Sequence, residues 1–131
     1  VAIQRVHDSA TMACTDPCVS IHPYFRAPAG REQEVMERCQ QFVDRTAQEP
    51  LCLYYGFSRA GNTFHCREGY QGAAGALAHL ENVGEMLEKF LQLCELTKLE
   101  VHGPAAELEK LRPALSALPV EFFELQMGFR R

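Results

Sequence analysis

A chain of 131 residues, 47% hydrophobic and 23% charged, has the length and composition of one globular domain with its own core, not of a disordered tail or a fibre. Its 13 basic and 17 acidic side chains leave a formal charge of −4, and the basic residues are scattered, so the electrostatic footprint of nucleic-acid binding is missing. No apolar stretch approaches the ~20 residues of a membrane span, and the start lacks the basic and apolar runs of a signal peptide, although a chain beginning at Val1 is compatible with a leader already removed.

Residues 1–17 show no period and are expected to form an irregular arm ahead of one domain over 18–131. Cys18 to Arg26 alternates as a strand, which sets His22 and Tyr24 on one face, and Ala27-Pro28-Ala29-Gly30 breaks it. From Arg31 to Gln48, Val35, Met36, Cys39, Phe42 and Val43 recur at helical spacing, with Glu32 and Glu34 near the positive end of the dipole; Pro50 stops the run. Leu51 to Arg59 and Asn62 to Tyr70 read as two strands joined by a turn at Ala60-Gly61-Asn62. Because Leu53-Tyr54-Tyr55 puts apolar residues on both faces, the sheet is expected to be covered on both. Ala73 to Cys94 is the longest helix, striped by Leu77, Leu80, Val83, Leu87, Phe90 and Leu91, and Glu95 to His102 reads as a fourth strand. Gly103-Pro104 opens a third helix that buries Leu108, Leu111, Leu115 and Leu118, with Pro113 expected to kink or split it. Val120 to Met127 is the last strand.

That succession is an α+β fold on the ferredoxin-like β-α-β-β-α-β plan, an antiparallel sheet with helices on one face and an extra helix before the last strand. Helices on one side leave the other face of the sheet in need of a partner. The simplest partner is a second copy, so a homodimer is expected, closed as a barrel-like sandwich.

Of six cysteines, Cys39 and Cys94 fall in helical patterns and Cys52 and Cys66 in strand patterns, where each behaves as a small core residue. Reduced thiols suit the cytoplasm or another reducing compartment. Cys14 and Cys18 stand apart in a polar segment near His7 and His22, but their spacing matches no zinc pattern, and a metal or a local disulfide there is the minor reading.

The most informative stretch is Phe64-His65-Cys66-Arg67-Glu68-Gly69-Tyr70, where a strand ends in Glu-x-Tyr, followed by Gln71-Gly72 and a helix that carries His79-Leu80. Together with His102 to Pro113 and Val120-Glu121-Phe122-Phe123-Glu124-Leu125, it resembles the antibiotic biosynthesis monooxygenase family, and its quinol monooxygenase branch in particular, over about Ile21 to Phe129. The resemblance implies a dimeric α+β barrel and cofactor-independent oxidation of a small phenol or quinol. The haem-degrading branch relies on a tryptophan, and this chain has none.

His79, with an ordinary pKa near ~6.5, is the candidate base for a phenolic proton; the plain alternative is a helix histidine bonded to a carbonyl. Glu68 shares strand parity with Phe64, Cys66 and Tyr70, so it lies on a largely apolar face, either orienting His79 or a substrate hydroxyl or pairing with Arg67, Arg59 or a partner chain. Tyr70, Tyr55 and Tyr24, with His22, are candidates for walls of a pocket for a flat aromatic ligand, against a plain role as core or interface residues. His65 is read as a surface or satisfied core histidine. No G-x-G-x-x-G fingerprint, Walker loop or G-x-S-x-G elbow appears, and no cofactor or metal is assigned.

Three functions fit these residues. The first is an oxygen-dependent monooxygenase of a hydroxylated aromatic, with His79 as base and Glu68 as orienter. The second is a non-catalytic binding or assembly module, docking into a larger complex through the N-terminal arm. The third is an isomerase or lyase that uses the same histidine and carboxylate to move protons.

Overall fold

Val19, Ile21 and Phe25 alternate with Ser20, His22 and Tyr24, and this period of two makes β1 (Cys18–Arg26) a strand with one apolar side. The computed structural model describes residues 16–131, in which β1 is followed by α1 (Glu32–Thr46), β2 (Cys52–Ala60), β3 (Thr63–Gln71), α2 (Gly72–Leu93), β4 (Glu95–Gly103), α3 (Ala105–Leu115) and β5 (Val120–Glu124). Apart from Asp16 and Pro17, the arm expected over residues 1–17, with His7 and Cys14, lies outside the described residues.

The strands form one sheet in the order β2-β3-β1-β4-β5. β1 runs antiparallel to β3 and β4, and β2 antiparallel to β3, which completes the ferredoxin-like plan at β4. The extra helix before the last strand is present as α3, but β5 departs from the expected all-antiparallel sheet. Because α3 is a crossover between neighbouring strands, β5 returns parallel to β4, with Val101 opposite Phe122. β5 is also shorter than expected. β4 ends at Gly103, whose carbonyl accepts the Leu125 N–H, and no partner strand remains beyond.

Pro113 neither splits nor ends α3. It sits in the last turn, where few backbone bonds remain to be lost, and the helix stops two residues later at Leu115.

All three helices pack on the side of the sheet that carries Val19, Ile21 and Phe25. One part of the core gathers Val19, Tyr70, Val101, Leu108 and Leu111, and the other Phe25, Val35, Phe42, Val83 and Phe90. Full burial of each such side chain contributes about 1.5–3 kcal/mol.

The opposite face is not apolar as expected. It presents Ser20, His22 and Tyr24 from β1, His65 and Arg67 from β3, and Lys98, Glu100 and His102 from β4. The apolar run in β2 misleads because the register shifts between Cys52 and Tyr54, which lays the Tyr54 ring over Gly69 beside Arg67 while Tyr55 and Phe57 face the helices.

Two glycines fix how α2 leaves β3. Gly72 takes a positive φ of 70°, and the Glu107 carboxylate fills the space beside it, accepting the Ala73 N–H at 3.1 Å. Gly75 lets the first turn of α2 close onto the sheet; a Cβ there would stand 3.0 Å from the Leu51 carbonyl oxygen and 3.1 Å from the Tyr70 Cβ. The next turn carries His79 against the strands.

Candidate active site

Inward parity on β3 brings Cys66, Glu68 and Tyr70 to the helix-facing side, and Glu68 is only 5% exposed. A charge there is costly unless partnered. The partner is not an arginine: Arg67 lies over the Tyr54 ring, and Arg59 bonds the Gly61 carbonyl and lies over Phe64. Instead the Tyr70 hydroxyl donates to Glu68 Oε1 at 2.6 Å, and His79 Nε2 lies 3.6 Å from the same oxygen.

His79, 4% exposed, meets a second carboxylate on its other side. Its Nδ1 lies 2.9 Å from Glu49 Oε2 and 3.2 Å from Oε1. A carboxylate only accepts, so the ring hydrogen sits on Nδ1 and the Nε2 lone pair points toward Glu68. Glu49 is braced in turn. Asn82 Nδ2 donates to its Oε2 at 2.7 Å, and Arg45 Nε donates to Asn82 Oδ1 at 3.2 Å.

Burial sets the protonation states. It pushes the Glu68 carboxyl up to about 7, although Tyr70 and Cys66 donate to it and lower it; the neighbouring Glu49 adds to the rise. Burial also lowers the His79 pKa, while the bond to Glu49 pulls the other way. The hydroxyls of Tyr55 and Tyr70 are pushed well above the ordinary phenol, chiefly by burial, and stay protonated. Near neutral pH the site therefore holds a neutral imidazole beside a carboxyl poised between its two forms.

Glu68, His79 and Tyr55 share one wall of a small cavity of about 60 Å³ between the helices and the sheet. The rest of the wall is almost wholly apolar, including Phe42, Phe57 and Phe90. Along α2 the lining runs from His79 to Leu91, which at ~1.5 Å per residue spans ~18 Å. Its polar groups gather where α2 supplies His79, so the cavity suits a small molecule with one polar group and an apolar remainder.

Of the residues singled out in the sequence, His79, Glu68, Tyr70 and Tyr55 come together; Tyr70 stands behind Glu68 as its donor, and its ring lies 5.0 Å from that of His79. Tyr24 and His22 do not join them. Their parity places them on the outer face of the sheet, while Ile21, Pro23 and Phe25 of the same strand line the cavity. The sequence reading missed Glu49, a loop residue with no periodicity around it. Asn82 carried a readable signal, since it follows His79 by three residues and shares its helix face.

Among the described residues no group of three or more His, Cys, Asp or Glu side chains is arranged to hold a metal, the five described cysteines are free thiols, and no helix is long and apolar enough to cross a membrane.

The chain is similar to MupZ from Pseudomonas fluorescens, with 40% identity over 89% of this chain and 91% of that one, at a TM-score of 0.85. A candidate antibiotic biosynthesis monooxygenase from Nitrosomonas europaea shares the fold at 13% identity over 70% of this chain and 93% of its own, with a TM-score of 0.62. A conserved protein from Methanosarcina mazei does so at 13% identity over 67% and 93%, with a TM-score of 0.62. No family model matches the chain, and no curated protein matches it.

Proposed function

Because the chain belongs to one family with MupZ from Pseudomonas fluorescens, we propose that it is an enzyme of that family which moves protons on a small, largely apolar molecule bearing a hydroxyl group. One observation carries the reading: His79 is held between two carboxylates at the polar end of an apolar cavity. A substrate hydroxyl placed at Nε2 gives its proton to the imidazole, and Glu49, bonded to Nδ1, stabilises the imidazolium that forms. Glu68, near half protonated at neutral pH, returns a proton to the oxygen or carbon that gains electron density. Tyr70 keeps its hydrogen on Glu68 throughout and fixes the carboxyl in place. Proton taken and proton returned balance, so the site supports a redox-neutral isomerisation, elimination or addition.

A second reading keeps the base and changes the fate of the electrons. His79 ionises a phenol or quinol, and the phenolate is oxidised by molecular oxygen without a cofactor. Its support is the fold shared with the Nitrosomonas europaea protein and the Glu68-x-Tyr70 and His79 positions of the motif.

Oxygen separates the two. Small hydroxy ketones and hydroxylated aromatics incubated in deuterated water under argon should gain carbon-bound deuterium with the wild-type protein and not with His79→Ala. Conversion only in air, with one oxygen consumed per turnover, would overturn the redox-neutral reading in favour of the second.

A further inference from the structure

Asn82 and His79 bond the same oxygen of Glu49. Asn82 Nδ2 lies 2.7 Å from Oε2 and His79 Nδ1 lies 2.9 Å from it. Beside Asn82 stands Arg45, an exposed residue in the last turn of α1, whose Nε donates to Asn82 Oδ1 at 3.2 Å. Neither Arg45 nor Asn82 lines the cavity, so neither touches a molecule held there.

Three contacts fix which way the Asn82 amide faces. A guanidinium only donates, so the end of the amide turned to Arg45 Nε is its oxygen. The NH₂ end then meets two acceptors, Glu49 Oε2 at 2.7 Å and the Arg45 carbonyl at 3.5 Å. Turned over, the amide would set its hydrogens against the guanidinium and its oxygen against both acceptors, and all three contacts would be lost together.

Each link therefore sets the next. An NH₂ group has no lone pair to offer, so a hydrogen on Glu49 Oε2 would find no acceptor at Asn82, and that oxygen stays an acceptor. His79 Nδ1 must then supply the hydrogen, which leaves the Nε2 lone pair on the side of Glu68. An amide oxygen in place of the NH₂ would favour the reverse. Glu49 would hold a hydrogen, its carboxyl would donate to Nδ1 or to the amide, and the ring hydrogen would move to Nε2.

We propose that Arg45 and Asn82 are positioning residues that set the tautomer of His79 from the protein surface. Arg45 orients the amide, and the amide reserves Glu49 as an acceptor for Nδ1–H. The inference rests on the reading of His79 as the base, because only the tautomer with its lone pair on Nε2 can take a proton from a molecule in the cavity.

Nitrogen NMR of the His79 ring at about pH 7.5, without any substrate and assigned by its loss in His79→Gln, tests this. The wild-type ring should carry its hydrogen on Nδ1. In Arg45→Glu the introduced carboxylate only accepts, so it should draw the NH₂ of Asn82 to itself and shift the ring toward the Nε2–H tautomer. Carbon-bound deuterium incorporation should then fall at least about tenfold. Arg45→Lys, which still only donates, should keep the Nδ1–H tautomer and most of the rate. Asn82→Leu gives an independent reading: without the amide both tautomers should appear, and adding Arg45→Glu should change the ring no further. Circular dichroism confirms that each variant is folded. An Arg45→Glu ring that keeps its hydrogen on Nδ1 would overturn the proposal, as would a shift of the same size when Asn82 is leucine. A ring protonated on both nitrogens would overturn it too, since Arg45 would then act by its charge alone. A shifted tautomer with undiminished deuterium incorporation would uphold this chain of donors and remove His79 as the base.

Discussion

Glu49 Oε2 accepts a hydrogen bond from His79 Nδ1 at 2.9 Å, which ties the loop before β2 to the second turn of α2 across 30 residues of sequence. The bond fixes the imidazole in one tautomer and aims its free lone pair at Glu68.

Glu49→Gln should therefore reduce activity far more than stability. An amide can turn its NH₂ to Nδ1 and hold the opposite tautomer, with the hydrogen on Nε2, so kcat should fall by about 10²- to 10⁴-fold. Nitrogen NMR of the ring should report the tautomer change directly. An unchanged kcat would remove Glu49 from the mechanism.

Glu68 makes the fold sensitive to alkali. Its carboxyl is raised from 4.5 to about 7, so the folded state holds a proton that the unfolded chain has released. That contribution is full below about pH 4.5 and is lost as pH rises through about 7, by about 3 kcal/mol. Glu68→Gln keeps an acceptor for the Tyr70 hydroxyl without the charge. Relative to wild type it should gain stability between pH ~5.5 and ~8.5 in urea titrations while losing activity. An equal stability difference at both pH values would contradict the burial argument.

Gly75→Ala tests how closely α2 must approach the strands. The new methyl meets the Leu51 carbonyl and the Tyr70 Cβ, both on elements fixed by the sheet, so α2 must shift outward and carry His79 with it. A loss of about 1–3 kcal/mol in stability is expected, with a weakened bond from His79 to Glu49 visible as a shifted imidazole pKa. A stabilised variant, as an ordinary helical glycine would give, would show that the contact yields.

Much of this fold was legible because its strands alternate and its helices are striped. β1 runs from Cys18 to Arg26 as its period requires. Val19, Ile21 and Phe25 already mark the inner side of that strand, so the sequence held the reason why His22 and Tyr24 face away from the cavity. The parallel return of β5 depends on which edge of the sheet is free, which no local pattern records. Glu49 was illegible for a related reason: its role comes from a contact 30 residues distant, made by a loop that has no period of its own. The Glu68-x-Tyr70 pair and His79 were found because a motif spans the strand, the turn and the helix that hold them together.

The most direct test of the acid–base site is a carbon NMR titration of the Glu68 carboxyl, assigned by its loss in Glu68→Gln. A midpoint near pH 7, with His79 neutral and its hydrogen on Nδ1 across that range, is the expected result. Titration of Glu68 near the ordinary 4.5 would mean that the cavity wall holds a carboxylate at neutral pH, with no proton to return to a substrate.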